Sequence, residues 1–162
     1  MRILLLTLVL FISSVEVHAQ KAPEILVNKW ITEKYSESIV YENNLIIVDF
    51  WFINCAPCNY SIPHLNDLTD EFPQVTFLAI TFDPVDKVES FLLHKAINAQ
   101  VGVDTSRALI SAFGVEEYPT TFMIKDGVII WQGSPMTLNS DMIQFAQRGG
   151  IYPKISNHIN TL

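Results

Sequence analysis

With 162 residues, 49% of them hydrophobic, the chain has the length and apolar content of one domain with a buried core. Its 10 Lys and Arg against 17 Asp and Glu give a net charge of −7, which excludes the basic footprint that nucleic-acid binding needs. The chain's 2 cysteines, Cys55 and Cys58, exclude the multi-bridge framework of a small stapled domain.

After Met1 and Arg2, residues 3–12 are apolar except for Thr7, and Val17-His18-Ala19 then puts small residues where a signal peptidase cuts. The run is about half the 20 or so residues that a membrane-spanning helix needs. Residues 1–19 are therefore expected to be a cleaved secretory signal, cut after Ala19, with a single domain over 20–162. The competing reading is an uncleaved anchor, since the basic region holds only Arg2. The mass of the exported chain, beginning at Gln20 if the segment is removed, decides between them. Loss of Arg2 and Glu16 leaves the net charge at −7. Export implies a periplasmic or otherwise extracytoplasmic location.

Leu45 to Phe52 is apolar at both parities apart from Asp49, as in a strand buried on both faces, and predicts the central strand. Past Cys58, the positions Ile62, Leu65 and Leu68 keep helical spacing, with Pro63 expected to kink that helix. Val75 to Phe82 reads as a second buried strand. Asp86 followed by Glu89 resembles a cap opening a helix from Lys87 to about Asn98. Gln100 to Val103 predicts a short strand, and Arg107 to Phe113 a short helix closed by Gly114. Thr120 to Ile124 and Val128 to Trp131 flank Lys125-Asp126-Gly127, a strong hairpin signal. Asn139 is positioned to cap a helix from Ser140 to Arg148 that Gly149 and Gly150 end. Residues 151–162 show no pattern to assign. Alternating strands and helices that finish in an antiparallel hairpin predict an α/β fold, a mixed central sheet flanked by helices.

A disulfide across two intervening residues closes almost no loop in the unfolded chain, so Cys55 and Cys58 point to chemistry rather than to a staple. They stand where the central strand passes into a helix N-terminus, whose unpaired N–H groups and dipole stabilise an anion. Thiols in such C-x-x-C motifs titrate at roughly 3.5 to 7.5. Cys55 is the candidate nucleophile. Cys58, one turn on and pointing inward, is placed to attack the mixed disulfide that Cys55 forms and so release the partner. Pro57 suits the first helical turn, where a missing N–H costs nothing. Asp49, a carboxylate in a buried apolar strand, is expected to have a raised pKa and to exchange a proton with Cys58.

Val48-Asp49-Phe50-Trp51, the Cys55-Ala56-Pro57-Cys58 motif, Pro63 and Tyr118-Pro119-Thr120-Thr121-Phe122 together resemble the thioredoxin fold. The leader, the Ser61-Ile62-Pro63-His64-Leu65-Asn66 continuation, an extra helix and strand across about 83–104, and Trp131-Gln132-Gly133 resemble the exported TlpA/ResA-type subgroup. The resemblance spans about 45–148. It implies a thiol-disulfide oxidoreductase that needs no cofactor beyond its Cys55–Cys58 disulfide, with Pro119 a cis-proline facing the cysteines. Tyr118, Pro119, Trp51, Ala56 and Pro57 would then border the substrate groove. Implied partners are exported protein thiols and disulfides and a membrane-embedded thiol donor, with the enzyme a monomer.

The chain also departs from that pattern. Asn54 stands where many relatives have Trp, and Ser61 where many exported reductases have Glu, which moves proton handling onto Asp49. Tyr118 is bulkier than usual before the proline. Ala56-Pro57 lacks the His of strongly oxidising relatives, so a reductase or isomerase is expected, with an oxidising disulfide-forming catalyst as the alternative. Keeping apocytochrome c cysteines reduced is a family-typical role.

Other readings compete less well. His64 with both thiolates would suit Cu(I) or Zn(II), as in a copper chaperone, but no second cysteine pair completes a site, so no metal is expected and His64 is read as solvated. Thiol peroxidases of this fold use T-x-x-C, and position 52 is Phe. His94 and His158 are read as surface residues, and Glu116-Glu117 as a solvated turn. Phe50, Trp51, Phe52, Phe77 and Phe122 are read as core, with Trp51 also packing beneath the disulfide.

Overall fold

A computed structural model describes residues 20–32, 39, 41–42 and 44–150. The predicted leader over 1–19, the tail over 151–162 and His158 lie outside the described residues.

The centre of the fold is β3 (Leu45–Trp51), buried at every position. It pairs in parallel with β4 (Thr76–Thr81) and antiparallel with β6 (Thr120–Lys125). β4 also pairs in parallel with β5 (Gln100–Val103), and β6 forms a hairpin with β7 (Val128–Gly133). Two short strands close the edges: β1 (Gln20–Lys21) beside β7 and β2 (Lys29–Trp30) beside β5. The sheet has 7 strands in the order β1-β7-β6-β3-β4-β5-β2, mixed as expected.

Strand alternation divides the core in two. Ile47 and Trp51 on one face of β3 join Leu65 and Leu68 of α1 (Ala56–Glu71) and Ile143 of α4 (Ser140–Gln147). Ile46, Val48 and Phe50 on the other face join Leu109, Ile110 and Phe113 around α3 (Ala108–Ala112). Period-2 side-chain direction therefore lets one fully apolar strand serve two layers.

Local chemistry explains most of the connections. Asp126 (φ 51°) and Gly127 (φ 77°) both take positive φ in the β6–β7 turn, as a two-residue hairpin of the right twist requires. Asn139 Oδ1 accepts the Met142 N–H at 3.0 Å and opens α4. A Cβ on Gly102 would lie 2.7 Å from the Trp30 ring, so the bare backbone lets β2 cover β5.

The region from 83 to 104 departs from its sequence reading. The helix there, α2, covers Val85–Leu92 rather than reaching Asn98, and Asp86 lies in its first turn instead of capping it. Pro84 opens the helix through its carbonyl, which accepts the N–H groups of Lys87 and Val88 at 3.0 Å each. Past the helix, the Asn98 N–H donates to Asn66 Oδ1 at 2.8 Å, which draws the chain across α1 and into β5. α3 does open at Arg107, whose carbonyl accepts the Ser111 N–H at 2.9 Å, but the side chain that holds its first turn lies further back. Buried Asp104 accepts from the N–H groups of Ala108 (3.2 Å) and Ile110 (3.0 Å) and from the Ser106 hydroxyl (2.8 Å). Asp104→Ala would orphan those donors, and a loss of about 1–3 kcal/mol is expected as a lower urea midpoint at unchanged slope.

Candidate active site

β3 ends at Trp51, and residues 52–54 carry the chain to Cys55, the N-cap of α1. Two side chains fasten this bend. Asp83 Oδ2 accepts the Ile53 N–H at 2.8 Å and the Thr81 hydroxyl at 2.7 Å. The Asn59 amide donates to the carbonyls of Ile53 (2.8 Å) and Cys55 (3.1 Å), while Lys95 Nζ donates to the Asn59 carbonyl at 2.6 Å. Neither Asp83 nor Asn59 was singled out by sequence. Asp83-Pro84 signals only a turn, and Asn59 only follows a cysteine.

Cys55 and Cys58 are joined as a disulfide with Cα atoms 5.2 Å apart. Cys55 Sγ accepts the Cys58 N–H at 3.1 Å, one of the free donors of the first helical turn. The intervening Ala56 and Pro57 are exposed, whereas Cys55 is 4% and Cys58 1% exposed. Both cysteines sit in one buried cluster with Trp51. Trp51 also packs on Phe91, centroids 5.4 Å apart.

Asp49 points to the α1 side of the sheet, as Ile47 and Trp51 do. The three line a cavity of about 20 Å³ closed by Ile62 and Leu65 of α1 and by Ala79, Ile97 and Ala99. That volume suffices for one water. Burial raises the Asp49 pKa from 3.8 to about 7, with the Thr121 hydroxyl, which donates to Asp49 Oδ1 at 2.7 Å, acting in the lowering direction. A carboxyl that titrates near neutrality beneath α1 is chemically able to take and return a proton there.

Across the bend, the Tyr118–Pro119 peptide bond is cis. The Tyr118 ring meets Phe52 at 5.3 Å and Phe82 at 5.7 Å, and Phe52 meets Phe82 at 5.6 Å. Phe52 is thus half-buried, packed against the edge of the core and stacked with Tyr118 and Phe82. The Arg107 guanidinium lies 3.7 Å above the Phe82 ring. Burial raises the Tyr118 pKa, and the nearby Arg107 charge opposes the rise.

His64 is also placed differently from its sequence reading. It is half-buried, and its Nε2 donates to the Leu138 carbonyl at 2.8 Å, which turns the ring to the loop before α4. No cluster of three or more His, Cys, Asp and Glu side chains that would hold a metal occurs among the described residues.

The AhpC/TSA family model matches residues 18–132. Thiol-disulfide oxidoreductase ResA of Bacillus thuringiensis (strain Al Hakam) is 30% identical over 91 residues, covering 54% of this chain and 53% of that protein. The chain thus spans about half the length of the curated relatives it matches. A thioredoxin-like protein solved in its oxidised form aligns at TM-score 0.66 and 23% identity over 82% of this chain and 97% of its own. A secreted Mycobacterium tuberculosis disulfide oxidoreductase homologous to E. coli DsbE aligns at TM-score 0.55 and 20% identity, over 67% and 84% respectively. These structural likenesses show the thioredoxin-like fold that the motifs implied.

Proposed function

Since the chain belongs to the AhpC/TSA family and folds as a thioredoxin-like domain, we propose that it is a thiol-disulfide oxidoreductase acting on proteins outside the cytoplasm. The observation that carries this reading is the Cys55–Cys58 disulfide at the start of α1, with the Cys58 N–H on Cys55 Sγ and a neutral-titrating Asp49 beneath the helix. Within the family, Phe52 stands where a peroxidatic T-x-x-C would need Thr, which favours disulfide exchange over peroxide reduction.

In the reducing direction the Cys55 thiolate attacks one sulfur of a client disulfide, forming a Cys55–client bond and expelling the other client sulfur as thiolate. Cys58 then gives its proton to the Asp49 carboxylate and attacks Cys55 Sγ. The Cys55–Cys58 bond forms, the mixed disulfide breaks, and the second client sulfur leaves to be protonated. Two electrons pass from protein to client. The short α1 entry serves the first step, because the helix N-terminus favours the Cys55 thiolate. Burial of Cys58 serves the second, since a resolving thiol that outside reagents cannot reach acts only on the adjacent sulfur.

A membrane-embedded thiol donor would return the oxidised pair to dithiol, for an oxidising compartment otherwise leaves it locked. Equilibration of the protein against glutathione and dithiothreitol buffers tests the direction. A potential near about −270 mV supports a reductase, and one near about −120 mV reverses electron flow and makes the protein an oxidant. Cytochrome c maturation is the client pathway proposed, on the resemblance to the TlpA/ResA-type subgroup. A strain lacking the gene is expected to lose haem-stained cytochrome c, and normal staining would point to another client.

A further inference from the structure

Where the chain leads into Cys55 runs an open groove of about 570 Å³. Ile53 and Asn54, the residues just before Cys55, form one wall. The other is α2 and its continuation, where Lys87, Ser90, Phe91 and His94 recur at helical spacing and all line the groove. Phe91 ties this wall to the site, since it also packs on the Trp51 ring of the cysteine cluster.

The groove presents an ammonium group in a molecule of net charge −7. The chain carries a net −7, yet exposed Lys87 and His94 make no ion pair among the described residues. Among the described residues one carboxylate lines the groove, Asp83, which keeps its charge but has Oδ2 turned to the Ile53 N–H and the Thr81 hydroxyl. Glu89, on the same helix, is drawn away to Lys29 at 2.9 Å. The result is an apolar floor of Ile53, Pro84 and Phe91 with the Lys87 ammonium and the His94 ring beside it, and with a wall, Ile53 and Asn54, that leads along the chain into Cys55.

We propose that this groove binds an extended segment of the client that carries an acidic side chain a few residues from its target cysteine, with the carboxylate on Lys87 and His94. The inference rests on the disulfide-exchange reading and adds a selectivity to it. Complementary charge at a docking surface acts mainly on encounter and register. It is also distinguishable from the field of the whole protein, because a net charge of −7 favours cationic clients and a contact on the Lys87 ammonium favours anionic ones.

The test is a single turnover of the pre-reduced protein with peptide disulfides, in which the Cys55 and Cys58 thiols are oxidised to the disulfide and the peptide disulfide is reduced to two thiols. Three peptides differ only in having Glu, Gln or Lys flanking their cysteines, and neutral 2-hydroxyethyl disulfide serves as control. The expected second-order rates fall in the order Glu, Gln, Lys, with the Glu peptide about tenfold faster than the Lys peptide at low salt and the ratio collapsing at about 1 M salt. Lys87→Glu is expected to invert the ratio. Lys21→Glu, at the far sheet edge, makes the same change in net charge and is expected to leave the ratio as it is. Because the readout is a ratio within each variant, a general loss of rate cancels. A Lys preference in the unaltered protein, or a Glu preference that Lys87→Glu leaves intact or Lys21→Glu shifts equally, overturns the groove. Failure of the unaltered dithiol to reduce even the neutral disulfide overturns instead the reading of the activity.

Discussion

Replacing Cys58 with Ser is expected to leave a protein that seizes clients and cannot release them. The variant keeps Cys55 at the head of α1, where the backbone N–H of residue 58 still points at Cys55 Sγ, so the first attack survives. The resolving sulfur is gone, and the mixed disulfide should accumulate to one client per protein, visible as a mass adduct that dithiothreitol removes. Cys55→Ser has the opposite phenotype: no adduct, and turnover reduced on the order of 10³-fold or more, because loss of a covalent nucleophile leaves only background exchange. The asymmetry follows from position, since Cys55 Sγ accepts a helix-end N–H that Cys58 does not. Equal adduct formation by the two variants would show that either sulfur attacks and would remove the assignment of roles.

Asp49→Asn should make the protein more stable and slower. The carboxyl loses its proton near pH 3.8 in the ordinary case and near 7 in the fold, because burial penalises the charged form. Between those values the folded state holds more protons than the unfolded, so stability falls as pH rises, and above about 7 the whole penalty is present. Asn keeps the acceptor for Thr121 and never ionises. At pH 8 the variant is expected to gain on the order of 2–4 kcal/mol, and near pH 4 almost nothing, as read from urea midpoints at the two pH values. Release of the mixed disulfide at pH 7 is expected to slow on the order of 10²-fold, the usual contribution of a positioned acid or base. A variant that gains stability yet resolves mixed disulfides at the original rate would leave Asp49 a buried burden with no part in proton transfer.

Much of the fold was legible because its signals are local. The seven residues of β3 are apolar at every position but Asp49, and the strand is the fully buried centre of the sheet. Asp126-Gly127 marked the hairpin, Asn139 the start of α4, and Gly114 (φ 65°) the end of α3. Two-residue β1 and β2 were not legible, since a pairing so short has no period to show. The opening of α2 was misplaced because Asp86-x-x-Glu89 imitates a cap, while the bond that opens the helix comes from the Pro84 carbonyl, a backbone group that composition does not reveal.

The candidate site divides along the same line. By itself, the sequence determined the C-x-x-C pair at a strand-to-helix boundary, the odd carboxylate at position 49 and a proline at 119 before a β-rich run, all features carried by spacing along a single segment. Only the tertiary structure decided what surrounds them: Asp83 and Asn59 holding the bend, Lys95 reaching back 36 positions to Asn59, His64 turned to Leu138, and Phe52 set at the edge of the core against Tyr118 and Phe82. The groove of α2 belongs to that second group, because its walls come from the chain before Cys55 and from the β4–α2–β5 crossover. Periodicity and capping act over one or two turns of chain, whereas the neighbours of a catalytic sulfur are set by which distant segments the packed sheet brings to its end.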